Sequence, residues 1–165
     1  MAELLDDRAL ELAAAAVRAL RDAGQTVGTA ESLTAGLCAA ALTTIPGSSA
    51  VVRGGLIVYA TDLKGILAGV PHDVLTRCGP VSEPTAEHLA RGAASRTGSD
   101  WGIGLTGVAG PDPQDGHPVG EVWVAVGSAD AAEAIRLSCV GGRDEIRAQA
   151  VSGALGLLVE RLSRA

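Results

Sequence analysis

The chain has 165 residues, enough for one domain with a sizeable core, and 47% of them are hydrophobic while only 2% are aromatic. With no Phe, one Tyr and two Trp, that core must be built of Ala, Val, Leu and Ile, and the stacking platforms used by single-strand and RNA binders are missing. Thirteen basic against nineteen acidic residues give a net charge of −6, a field that repels phosphate backbones and argues against a nucleic-acid binder while still permitting a local pocket for one small phosphate.

Taken in order, residues 5–23 carry apolar side chains at helical spacing, with Gly24 as a stop signal. Residues 25–30 read as a short strand, and the Ala/Leu-rich stretch 33–44 as a helix ended before Pro46-Gly47. A buried type of strand is expected over 56–59 and a short helix over 62–67, with no element assigned to the stretch that follows. A further helix spans 84–97, with Ser82 or Glu83 near its start, and strands follow at 101–105, 119–126 and 134–140. Residues 144–162 form a closing helix. Helices alternating with strands predict an α/β fold, a three-layer α/β/α sandwich. Two late strands lie too close together for a helical crossover, so the sheet is expected to be mixed. No internal repeat or linker divides residues 1–165, which read as one domain. The N-terminus is acidic and broken by charges, unlike a signal peptide, and no apolar run approaches the ~20 residues that cross a bilayer. Three scattered cysteines, Cys38, Cys78 and Cys139, form neither a disulfide framework nor a CxxC metal site, which points to a reducing cytoplasm.

Three stretches differ from ordinary scaffold. Thr29 to Gly36 runs from a strand end into the predicted helix and places Ser32 near the first helical turn. A hydroxyl there is a candidate nucleophile with helix amides as an oxyanion hole, or else a simple helix cap. Tyr59 to Lys64 holds the only tyrosine and the only lysine, the other twelve basic residues being arginine. A buried lysine can lose its proton and act as a base, which arginine cannot; the plain alternative is a solvated surface lysine. Thr106 to Pro111 follows a strand, and its glycines permit a ligand to approach the backbone, or form a turn and nothing more. Gly102, Gly104 and Gly107 match GxGxxG in spelling but lie within the strand, so a dinucleotide site is set aside. Arg143 and Arg147 fall on the first turns of the last helix, where a helix N-terminus and arginine can clamp a phosphate, or simply pair with nearby acids. His72, His88 and His117 are isolated and imply no metal site, and Asp112 and Asp115 read as solvated loop acids.

Together AESLTAG, IPGSSAVVRGGLIVYATDLK, GPVSEPTAEHLA, GLTGVAGP with PVGEVWVAV, and GGRDEIRAQA occur in the order in which similar blocks occur in the CinA C-terminal domain family, and the chain resembles that family almost throughout. The resemblance implies a nicotinamide-nucleotide amidase of stand-alone form. Such an enzyme hydrolyses the carboxamide of nicotinamide mononucleotide to nicotinate mononucleotide and ammonia, as a Ser-Lys hydrolase with no metal or organic cofactor. It further implies Ser32 as nucleophile and Lys64 as general base, with Tyr59, Thr106 and Gly107 in the substrate pocket and Arg143 or Arg147 on the phosphate. A cytoplasmic homo-oligomer without nucleic-acid or membrane partners is expected. The family's ESxTGG reads ESLTAG here and its YSNxxK reads YATDLK, so Ala35, Ala60 and Thr61 depart from the pattern, as does the loop 111–117. The competing readings are a non-catalytic domain linked to competence or damage responses, and an amidase of another small carboxamide.

Overall fold

The structure, a computed structural model, describes residues 4–165. Helix α1 (Asp7–Ala23) begins where the Asp6 carboxylate accepts from the Ala9 amide at 2.7 Å, and ends at Gly24, whose left-handed φ of 65° closes the last turn. Ala9, Ala13, Ala16, Val17 and Leu20 form its buried stripe. Strand β1 (Val27–Glu31) is buried along its whole length and lies between β2 (Val52–Ile57) and β3 (Trp101–Gly107), parallel to both. Strands β4 (Glu121–Gly127) and β5 (Ala132–Ser138) continue the sheet antiparallel, giving the order β2-β1-β3-β4-β5.

Helices α1, α2 (Leu37–Thr44) and α6 (Arg143–Arg164) cover one face and enclose the main core. Helix α5 (Glu83–Thr97) runs across the other face. It is flanked there by α3 (Thr61–Ile66) and α4 (His72–Cys78). The fold is the expected three-layer α/β sandwich with a mixed sheet. Ser82 caps α5 and Gly98 ends it in a left-handed conformation. The glycines of β3 have a packing reason, since a Cβ at Gly102 or Gly104 would strike the backbone of α5 at Ala90 and Ala86.

Several boundaries move. Helix α2 starts at Leu37 rather than 33, because Ala35 and Gly36 take φ values of 46° and 101°, which a right-handed helix cannot contain. Strand β2 occupies Val52–Ile57 rather than 56–59: its glycines hid an edge strand, and Tyr59 lies beyond its end. Strand β5 begins two residues earlier than expected, and α4 was unforeseen because none of its residues is buried, so it carries no apolar stripe to read. Among the described residues no helix is long and apolar enough to cross a membrane.

The topology fixes where a ligand can bind. The chain leaves β1 toward α2 and β2 but leaves β3 toward β4, so two adjacent carboxyl ends release their loops in opposite directions. A crevice opens at such a point in open α/β sheets.

Candidate active site

Ser32 is the first residue beyond β1, and its amide donates to the Leu105 carbonyl of β3 at 2.9 Å, which locks it across the crevice. It does not lie in a helical turn, and it caps no helix. Lys64 enters from α3, 2% exposed, with Nζ 3.0 Å from Ser32 Oγ. Nζ also donates to the Val58 carbonyl at 2.9 Å and reaches that of Tyr59 at 3.5 Å. Carbonyls only accept, so they claim the two N–H bonds of a neutral amine and leave its lone pair toward the serine hydroxyl. No carboxylate forms an ion pair with Lys64 among the described residues. Burial lowers its pKa from 10.5 to about 8, and desolvation alone does this.

This gives a pH signature. A base that works only when neutral makes kcat/KM of any hydrolysis at Ser32 climb about tenfold per pH unit below 8 and level off above it. A profile flat between pH 6 and 9 would show that Lys64 does not titrate in the reaction.

Glu31 is the residue that sequence reasoning passed over. It is fully buried, yet its carboxylate accepts from the amides of Gly36, Cys38 and Ala39 at 3.1, 3.0 and 2.8 Å. It also accepts from the hydroxyls of Thr34 at 2.7 Å and Thr29 at 3.1 Å. The amides at the start of α2, expected to face a ligand as an oxyanion hole, are therefore occupied from within the chain. The available signal was an acid ending an otherwise buried strand between two threonines. Beside it, burial and the Glu31 charge push the Cys38 thiol well up, so it stays protonated and inert.

The remaining candidates divide. Tyr59, Thr106, Gly107 and Arg143 line one cavity of about 180 Å³ with Ser32 and Lys64. Thr106 is buried and its hydroxyl donates to the Pro80 carbonyl at 2.6 Å, tying that loop to the end of β3. A Cβ at Gly107 would collide with Val122 and the Glu121 carbonyl, so glycine there serves strand pairing as well as access. Arg143 donates to the Tyr59 hydroxyl at 2.9 Å and to the Gly110 carbonyl at the rim. Arg147 is not among the cavity's lining residues. Its guanidinium donates to the carbonyls of Leu33 at 2.9 Å and Thr34 at 3.4 Å, gripping the turn that carries Ser32. The start of α6 is itself capped, because the Gly142 amide donates to the Glu145 carboxylate at 2.7 Å. An anion at the rim would thus meet the Arg143 side chain. Among the described residues no group of three or more His, Cys, Asp or Glu is placed to hold a metal.

The sequence matches the CinA C-terminal domain family over residues 9–162. The chain belongs to the CinA family. It is 45% identical over 150 residues to a CinA-like protein of Gemmatimonas aurantiaca, covering 89% of this chain and 33% of that one. A CinA-like protein of Anaeromyxobacter sp. is 42% identical over 151 residues, covering 90% and 36%. The chain thus spans about a third of the length of these relatives. Among solved structures, a competence/damage inducible protein from Agrobacterium tumefaciens superposes with a TM-score of 0.90 at 38% identity, covering 98% of this chain and 99% of that one. A CinA superfamily protein from Klebsiella pneumoniae gives 0.91 at 32% identity, covering 95% and 99%. Within this CinA domain, Ala35 holds a left-handed φ of 46°, a strained backbone that glycine would relieve.

Proposed function

We propose that this CinA domain is an amidohydrolase that converts nicotinamide mononucleotide to nicotinate mononucleotide and ammonia. The observation that carries the reading is the buried Lys64 Nζ, 3.0 Å from Ser32 Oγ at the floor of a cavity and, among the described residues, in no ion pair with a carboxylate. Ser32 Oγ attacks the carboxamide carbon while its proton passes to Lys64. The C–N bond then breaks as Lys64 returns that proton to the leaving nitrogen, giving ammonia and an acyl ester on Ser32. Water, deprotonated by Lys64, attacks the ester; its C–O bond breaks and Ser32 recovers the proton from Lys64. Neither half-reaction calls for a metal or an organic cofactor.

At about 180 Å³ the cavity falls below the ~300–1,000 Å³ of a typical small-molecule site. It suits the ring and carboxamide, with ribose and phosphate at the rim near Arg143. Ammonia release from nicotinamide mononucleotide, nicotinamide riboside, nicotinamide and glutamine tests this. The nucleotide should exceed the phosphate-free riboside in kcat/KM by about tenfold or more, the worth of one charge-assisted hydrogen-bonded contact. Arg143→Ala should erase that preference. Equal turnover of the riboside would remove the phosphate role, and no ammonia from any carboxamide would remove the enzyme in favour of a binding domain.

A further inference from the structure

The charge pattern of the cavity says more about its ligand than the phosphate does. Among the described residues lining it, Arg143 at the rim is the one permanent cation and Asp112 the one carboxylate, while Lys64 at the floor is the base that works when neutral. Asp112 does not pair with either of them: no ion pair within 4.0 Å joins it to Arg143 or Lys64, and no hydrogen bond engages its carboxylate among the described residues. Asp112 is exposed, but its loop is tied down on both sides. The Gly110 carbonyl, two residues earlier, accepts from Arg143. Two residues later, Gln114 and His117 exchange backbone hydrogen bonds of 3.1 and 2.8 Å, and His117 pairs with Glu121 at the start of β4.

Two opposite charges that face one small cavity without neutralising each other fit a ligand that carries both signs. A cationic ring entering past Arg143 would be repelled by it, and by any proton on Lys64, unless an acid offset that charge, and Asp112 is the acid among the described lining residues. We propose that Asp112 is a specificity-determining residue that selects a ligand with a positively charged ring, so that the site takes zwitterions pairing a pyridinium with a phosphate. The inference rests on the amidase reading for its choice of ligand, but its test does not require turnover.

The test uses Ser32→Ala protein, which cannot form the acyl ester, and calorimetric titration with two probes. One is nicotinamide mononucleotide; the other is its reduced form, with the same ribose and phosphate on an uncharged dihydropyridine ring. The charged form should bind about tenfold more tightly in low salt, a preference that 0.5 M salt weakens. Adding Asp112→Asn should bring the ratio close to one by weakening the charged form alone, and Asp112→Glu should restore part of it. An unchanged ratio overturns the proposal. So does equal weakening of both forms, which would assign Asp112 to the ribose hydroxyls, and so does failure of either probe to bind at millimolar concentration. If ring-charge selection holds while the native chain releases no ammonia, the amidase reading falls and this one stands.

Discussion

On the proposed amidase reading, Ser32→Ala should abolish carboxamide hydrolysis and Lys64→Arg should lower it by at least about 10³-fold, the scale on which loss of one member of a nucleophile–base pair acts. Arginine keeps the charge but cannot take a proton at working pH. It is also too large and too widely branched to donate to Val58 and approach Ser32 Oγ in the space that Lys64 fills. The double variant should be no slower than the worse single one, because both residues serve one proton transfer. Retention of a tenth of the native rate in Lys64→Arg would leave the lysine as a structural or electrostatic residue. Stability separates these outcomes. The native state disfavours the protonated lysine, so below pH 8 it carries a cost with a ceiling of about 3.5 kcal/mol, the fall from 10.5 to about 8 taken at about 1.4 kcal/mol per pH unit. That cost fades as pH rises from 8 toward 10.5, where the unfolded chain also loses its proton. Lys64→Met should therefore melt higher than the parent at pH 7, with no gain above pH 10.5, while remaining inactive.

Glu31→Ala should destabilise the chain by about 3–5 kcal/mol, the range for uncovering buried partners of a charged group, and lower Tm by about 10–15 °C. The loss leaves three amides at the start of α2 and two buried threonine hydroxyls without their acceptor, Cys38 being fully buried and Gly36 and Ala39 half-buried. Glu31→Gln keeps the volume but turns N–H donors toward amides that also donate, so it should cost about 1–3 kcal/mol. The turn bearing Ser32 is gripped from inside by Glu31 and from outside by Arg147, so turnover should fall more than the folded fraction does. Thermal melts within 2 °C or so of the parent for Glu31→Ala would show that the carboxylate is not the anchor, about half the shift expected for 1 kcal/mol in a chain of this size.

The layered architecture was legible from the sequence because its signals are local and repeated. The α1 stripe, the Gly24 and Gly98 stops and the Ser82 cap each act within a few residues. The short spacing of β4 and β5 was enough to make the sheet mixed. Ser32 and Lys64 were legible as candidates, one by its place after a strand and the other as the sole lysine. Their approach to 3.0 Å was not, since 32 residues separate them and only the parallel pairing of β1 with β2 brings their following loops together.

The tertiary structure alone decided the rest. Residues 32–36 hold only two strong helix formers, Leu33 and Ala35, and they make a turn, where a buried carboxylate with five donors outweighs the few tenths of a kcal/mol per residue that helix propensity supplies. Arg143 and Arg147 sit one turn apart on the same helix and look equivalent in sequence. The packing of α6 over the Ser32 turn sends Arg147 to its carbonyls and leaves Arg143 at the cavity rim. Periodicity and capping are written in neighbouring residues. Which polar group meets which across the sheet depends on how whole layers settle, and there the cost of leaving a buried group unsatisfied overrides local preference.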